Sequence, residues 1–466
     1  LFFKRMELGL WPLLVLVLYL PSIRNGFVYD DLTLIVREQP PATTTDLARV
    51  FLERHFPTVP YYRPVTRLTF LLQRQWHGLN PVPYHLANAL LAAFAAWAAF
   101  RLLRFPRFGI PLPAAMAAAL LWAIHPIMSS AVYPICSGRE SLLPATLSLL
   151  ALDAWLRRRT FFALILFALT LFAREQAVAL PLLFFTAEIL GLRQPAAMNP
   201  SRVRQPVSAL PYAIMTLLIV GYVMIRRALF RGSDFQIALL ENRWGPFFSL
   251  LYALQTFFFP FRILVYEPPL SLWWSWPRLL AALLLFAALV ATAIRRRVGR
   301  PVLLFWTAWF VFLLAPTANI LKQETPFDER YLLLSSLAFF AVGAATWNTL
   351  PDRIRCGLAL AVFLFAALPW AALSLHRARY FQNDAVFAAH WVRVNPDSHN
   401  ALINYAKYQI DAGNYEEARR AAARAVELAP DLEFAWFNLG VALDRLGKTD
   451  EAMTAYRRAL ALKPIA

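Results

Sequence analysis

Cysteine, glycine and acid are all scarce in this 466-residue chain. It has 2 cysteines, 15 glycines and 28 Asp plus Glu against 46 Lys plus Arg, and charged residues make up only 16% of it. Each shortage excludes something. No CxxC, HExxH, GxSxG or GxxxxGK[ST] occurs anywhere, which removes the common zinc, serine-hydrolase and nucleotide-phosphate signatures. Cys136 and Cys356 fall at ends of hydrophobic segments assigned below to opposite sides of a membrane, so no disulfide is expected between them. Little charge also means little surface for water. With 59% hydrophobic residues and a mean hydropathy of +0.49, the chain reads as a polytopic membrane protein.

The formal net charge of +18 would suit nucleic acid if the basic residues shared one solvated face. Instead they cluster between hydrophobic runs, at Arg101, Arg104 and Arg107, at Arg157 to Arg159, at Arg193, Arg202 and Arg204, and at Arg295 to Arg297, as cytoplasmic loops do. No nucleic-acid partner is expected. Eleven segments approach the length a bilayer requires: 8–23, 84–103, 111–129, 141–156, 160–173, 176–192, 207–225, 278–294, 302–320, 331–348 and 355–375. The first follows Lys4 and Arg5 without a small-residue cleavage site and reads as an uncleaved helix. With those two residues inside, every arginine cluster above is cytoplasmic, and the long loop 24–82 is outside. Trp244 to Trp276 is left over and is expected to form a re-entrant or interfacial hairpin on the outer face, with Trp273, Trp274 and Trp276 at headgroup level.

The outer loops carry much of the acid upstream of the repeats. Asp30 and Asp31 are adjacent in the first, which also holds a short amphipathic helix within Thr43 to Phe56, then Arg63 and His85. Three further loops face it: one with Arg139 and Glu140, one with Arg174 and Glu175, and one running from Asn319 through Glu329 and Arg330. Adjacent carboxylates outside a membrane helix can simply cap and solvate a turn. Together with several arginines they also match what transfer from a phosphate-linked donor requires, a base for the acceptor hydroxyl and guanidinium groups for the departing phosphate. The donor would then be lipid-linked, reaching the site laterally. Metal dependence stays open, because two aspartates with a sugar phosphate could hold a divalent ion but are not a ligand set by themselves.

After the last span the composition changes. Glu433 to Pro464 has Trp436, Leu439, Gly440, Gly447, Ala452, Tyr456, Ala459 and Pro464 at tetratricopeptide-repeat spacing, and a shift of 34 residues back finds Leu402, Gly413, Ala418, Ala425 and Pro430. The expected domains are 1–375, in the membrane, and 376–466, a half-repeat at 380–396 followed by repeats 399–430 and 433–464. An odd number of crossings puts the repeats outside.

The stretches FVYDDLTLI, YYRPVTRLTFLLQRQWHGLNPVPYHLANALL, HPIMSSAVYPICSGRESLL, FAREQAVALPLL and PTANILKQETPFDERYLLLSS, followed by the repeats, resemble the transmembrane and tetratricopeptide-repeat O-mannosyltransferases and their bacterial relatives, GT-C membrane glycosyltransferases. The resemblance implies an all-α polytopic GT-C-type bundle of about 11 transmembrane helices with a C-terminal tetratricopeptide-repeat α-solenoid. It implies an inverting transfer of one sugar, mannose or another, from an undecaprenyl- or dolichyl-phosphate carrier to a Ser or Thr hydroxyl of a protein, at the periplasmic face of a bacterial inner membrane. The repeats would bind the acceptor or a partner protein. In the implied site Asp30 is the base and Asp31 its support; Arg139 binds the lipid phosphate, with Arg174, Arg330 and Arg63 as further donor contacts. Glu140, Glu175 and Glu329 orient those arginines, and His85, His125 and Asn319 support. After His125 and Pro126, Ser129 and Ser130 stand near where relatives carry an acid. A lipid or polysaccharide acceptor is the nearest alternative, and a membrane scaffold or transporter that recruits proteins is the non-enzymatic one.

Overall fold

The computed structural model describes residues 10–39, 43–56, 61–193, 208–230, 244–260, 275–318, 320, 328–347 and 349–462, and among these residues every regular element is helical. The described chain forms two compact units. Leu1–Phe261 with Pro277–Ala378 is one, and Arg262–Trp276 with Arg379–Ala466 is the other.

In the first unit the order is α1 (Pro12–Tyr19), α2 (Thr44–Arg49), α3 (Pro64–His77), α4 (Pro81–Leu103), α5 (Leu112–Ile124), α6 (Pro126–Val132), α7 (Ile135–Leu156), α8 (Thr160–Ala173), α9 (Leu180–Ile189) and α10 (Ala209–Leu229). Then come α11 (Gly245–Phe258), α12 (Trp276–Arg295), α13 (Arg300–Leu314), α14 (Leu337–Trp347), α15 (Asp352–Val362) and α16 (Leu368–Arg377). Helices stand at all eleven positions where the sequence predicts a span. Among the described residues, six segments are long and apolar enough to cross a membrane, or seven if α5 and α6, bent by 57°, count as one. The remainder are shorter, such as α8 and the apolar turn Pro12–Arg24, or carry charge, as α7 does with Arg139, Glu140 and Asp153.

Sequence explains the main breaks. His125 precedes Pro126, whose ring disfavours helical backbone in the residue before it, and His125 takes φ −57°, ψ 137° at the α5–α6 bend. In α4 Asn80 accepts a hydrogen bond from the Val82 amide (3.1 Å) and Pro81 fills the first helical position. Its buried alanines, among them Ala89, Ala92, Ala95 and Ala99, let α1, α5 and α7 approach closely. Gly138 in α7 is a stricter case: a Cβ there would lie 2.4 Å from the Ala131 carbonyl of α6. Towards the edge, α10 and α12 leave Leu217 and Leu284 70% and 62% exposed, which suits lipid and not water.

The expected outer-loop helix is α2, opened by a reciprocal capping box between Thr43 and Asp46 and continued by a 3₁₀ turn, Val50–Leu52. Val50 is buried there, Phe51 and Leu52 are exposed, and Leu47 is half-buried. The outer hairpin expected over 244–276 is seen only as α11 and the Trp276 start of α12; Trp273 and Trp274 lie outside the described residues.

The second unit holds α17 (Asp384–Val394), α18 (His399–Asp411), α19 (Tyr415–Leu428), α20 (Glu433–Arg445) and α21 (Thr449–Leu462). Its packing needs small residues at the crossings, since a Cβ on Gly440 would fall 2.7 Å from the Tyr456 ring. Gly413 and Gly447 turn each helix pair at φ of +79° and +77°.

Candidate active site

The first outer loop is held from several sides. Asn25 donates to the Ala378 carbonyl (3.2 Å), and the His85 ring Nε2 meets the Gly26 carbonyl (3.2 Å). Tyr29 then adopts φ +50°, a backbone region that side chains other than glycine enter at a cost. The chain turns there and presents Asp30 and Asp31.

The two acids part company at this point. Asp31 is 1% exposed, and its two oxygens accept from the Val28 amide (3.0 Å) and the Cys136 amide (2.8 Å). α7 has no side-chain cap of its own, since Pro134 precedes it, so Asp31 supplies one from 105 residues away, at the positive end of the helix dipole. Burial pushes the Asp31 carboxyl up to about 6, with those amide hydrogen bonds opposing. Asp30 is half-buried, and among the described residues its carboxyl makes no hydrogen bond or ion pair. Burial and then the Glu140 carboxylate push it up to about 8, against Arg330; Asp31 adds to the rise and Arg63 opposes it.

Arg63, 5% exposed, joins two of the predicted loops. It donates through Nε to Glu175 (3.0 Å), forms a second bond to the other Glu175 oxygen, and pairs with Glu140. Glu140's remaining oxygen meets the His55 ring (2.6 Å). Burial would raise the Glu175 carboxyl, but Arg63 outweighs it and holds Glu175 at about 2. Arg174 donates to the Glu140 carbonyl (2.9 Å) and the Ser141 hydroxyl (2.8 Å), lies over the Tyr331 ring at 5.6 Å, and keeps a buried Nε that has no partner among the described residues. Arg330 is chelated by Asp328, its Nε at 3.0 and 2.9 Å from the two oxygens.

Several expected residues do other work. Arg139, 2% exposed, gives its guanidinium to Asn88 (3.1 Å), Gln73 and the Tyr84 carbonyl (3.0 Å), over the Phe70 ring. It bridges α3, α4 and α7. Glu329 pairs with Arg377, which is outside the predicted set (2.7 Å), both side chains 2% exposed. His85 anchors the loop, and His125 caps α6, bonds the Phe257 carbonyl (3.0 Å) and stacks on the Phe257 ring. Glu140 and Glu175 do orient an arginine, and it is Arg63. Asn319 lies outside the described residues.

Sequence reading passed over His55 and Arg377. For Arg377 a signal existed: an arginine at the outer end of a span is unusual for the same reason as Arg139 or Arg330. Arg377 also donates to the Pro126 carbonyl (2.8 Å) and approaches the Ser129 hydroxyl (3.4 Å). Its acid partner is Glu329.

A small cleft opens beside this network. Arg174, Arg330, Ser141 and Tyr331 give it polar walls, and Pro144 of α7, Leu180 of α9 and Leu313 of α13 give it apolar ones. Such a space suits a ligand with an anionic head and a hydrocarbon tail. Among the described residues no three His, Cys, Asp or Glu side chains gather in a metal-holding group.

The tetratricopeptide repeat family matches residues 404–464. The protein O-mannosyl-transferase TMTC3 of Mus musculus is 23% identical over 516 residues, which is 98% of this chain and 55% of that protein. Protein O-mannosyl-transferase Tmtc1 of Drosophila melanogaster is 34% identical over 149 residues, 30% of this chain and 16% of its own. The chain therefore spans about half the length of the curated relatives it matches end to end. Of solved structures, ArnT from Cupriavidus metallidurans bound to undecaprenyl phosphate aligns at 15% identity with a TM-score of 0.44, covering 96% of this chain and 74% of that one. Along nearly its whole length, the chain is similar to the protein O-mannosyl-transferase TMTC3 of Mus musculus and of Homo sapiens, with a tetratricopeptide-repeat match near its C-terminus.

Proposed function

We propose that this protein is an inverting membrane glycosyltransferase that moves one sugar, mannose by the relatives' names, from a polyprenyl-phosphate carrier to a Ser or Thr hydroxyl of a protein. The observation that carries the reading is the Asp30 carboxyl, which has no hydrogen bond or ion pair among the described residues while both oxygens of its neighbour are engaged. The carrier's phosphate would lie in the cleft against Arg174 and Arg330, with its chain leaving between the apolar walls of α7, α9 and α13. Asp30 takes the proton from the acceptor hydroxyl as the oxygen attacks the anomeric carbon. The bond from that carbon to the phosphate oxygen breaks on the opposite side, and its electron pair leaves with the lipid phosphate, where the arginines meet the charge. A carboxylate raised to about 8 is a stronger base than a free aspartate, at the cost of being mostly protonated at neutral pH.

The membrane would be a bacterial inner membrane, its outer face holding the site and its repeats binding the acceptor protein. The test is mass spectrometry of glycopeptides from a deletion strain complemented with the native chain or with Asp30→Asn. The native chain should restore a hexose on Ser or Thr, and the variant should leave those sites bare at similar protein abundance. Full glycosylation by Asp30→Asn would remove the base assignment, and transfer only to lipid or polysaccharide would replace the acceptor.

A further inference from the structure

Asp31 fixes the loop to Cys136, and Glu140 follows one turn later on the same helix, so the two positions share a face about 6 Å apart along the axis. Glu140 therefore stands on the side of α7 that meets the Asp30–Asp31 turn. It is 7% exposed, and its carboxylate is gripped on both oxygens, by His55 at 2.6 Å and by Arg63. Arg63 is shared with Glu175, so one guanidinium serves two carboxylates. His55 is 3% exposed, with its ring edge-on to Phe56 at 5.0 Å, and its Nδ1 is buried without a partner among the described residues. Its Nε2 gives Glu140 a hydrogen bond. Arg63 is divided between two carboxylates, and Arg174, the other guanidinium close by, bonds the Glu140 carbonyl and not its carboxylate (2.9 Å), so no guanidinium is given to the Glu140 charge alone.

We propose that Glu140 is a positioning residue for Asp30: held as a carboxylate by His55 and Arg63, it supplies a fixed, incompletely neutralised negative charge against which Asp30 must ionise. The groups facing Asp30 are Asp31 from its own loop, Glu140 from α7, Arg63 ahead of α3 and Arg330 from the Glu329–Leu332 turn. Two acids and two bases surround it. The balance is tipped by engagement, since Arg330 is chelated by Asp328 and Arg63 is divided between two glutamates. The upward shift of Asp30, with Glu140 its largest charged cause, agrees with this geometry.

The meaning for catalysis rests on Asp30 being the base, but the inference is readable without turnover. The full chain in lipid is titrated by infrared spectroscopy, and Asp30→Asn identifies the protonated-carboxyl band that belongs to Asp30. Glu140→Gln should lower the midpoint of that band by about one pH unit, a tenfold change in the ionisation constant, whereas Glu140→Asp should retain most of the elevation. His55→Ala removes a donor to Glu140 and should move the midpoint upward, so a poorly folded Glu140→Gln does not decide the matter alone. A midpoint unchanged in both Glu140→Gln and His55→Ala, or lowered equally by Glu175→Gln, overturns the inference. Failure of the base assignment instead shows as full glycosylation by Asp30→Asn, whatever the midpoints do.

Discussion

Asp30 and Asp31 are neighbours with opposite fates, and the difference is made by an amide more than a hundred positions away. Asp31 spends both oxygens on backbone hydrogens, so Asp31→Asn keeps one acceptor and turns an amine towards the other donor. The expected loss is about 1–3 kcal/mol, read as a lower melting midpoint in detergent, with transfer impaired because Tyr29 and Asp30 are no longer held. As the proposed base, Asp30 would carry the pH dependence. Its carboxyl is raised to about 8, so the ionised base is a minor form at neutral pH and becomes the major form above 8; transfer by the unliganded enzyme should rise roughly tenfold per unit as pH approaches 8 and then level. A rate that is flat between pH 6 and 8 would contradict this. The residues by themselves did not separate the two acids, and only the resemblance gave Asp30 as base and Asp31 as support, because the difference depends on which of them reaches the uncapped start of α7.

Helices were the legible part, since an apolar run near twenty residues allows little else in a bilayer and a proline or glycine marks each break. What the pattern did not give was direction around each helix. Arg139 and Arg174 both belong to outer-loop motifs, yet one is consumed by α3 and α4 while the other lines a cleft. Gly138, next to Arg139, shows why: α6 and α7 are so close that only hydrogen fits. Gly138→Ala should cost about 1–3 kcal/mol of stability through overpacking and shift the Asp31–Cys136 contact with it, measured as a lower thermal midpoint together with reduced transfer. Arg377 is the other element-level joint, its guanidinium binding Glu329 and the Pro126 carbonyl at the bend. Arg377→Ala strands a buried Glu329, so destabilisation of about 3–5 kcal/mol is expected, and Arg377→Ala with Glu329→Gln should recover part of it; a double variant no better than the single one would argue against the pair.

On the scale of the whole chain, composition alone separated a membrane part from a repeat part, and the compact units divide at Ala378 and Arg379. Because Arg377 belongs to the first unit, a truncation meant to remove only the repeats must begin at residue 379. A chain ending at Ala378 should remain folded in the membrane and still bind a polyprenyl phosphate in native mass spectrometry, yet lose transfer to protein. Undiminished protein glycosylation by that chain would assign the repeats some other task.

The Asp31–Cys136 bond also carries a time. Its two ends are separated by 105 residues, so at a synthesis rate of about 5–20 residues per second the loop leaves the ribosome roughly 5–20 s before its anchor exists. Through that interval the loop lacks its α7 anchor, and Asp31 has no helix end to cap. The Asp30–Asp31 turn is therefore made early and set late: each molecule passes through a stage of biogenesis in which its spans are entering the membrane while Asp30 has no final place.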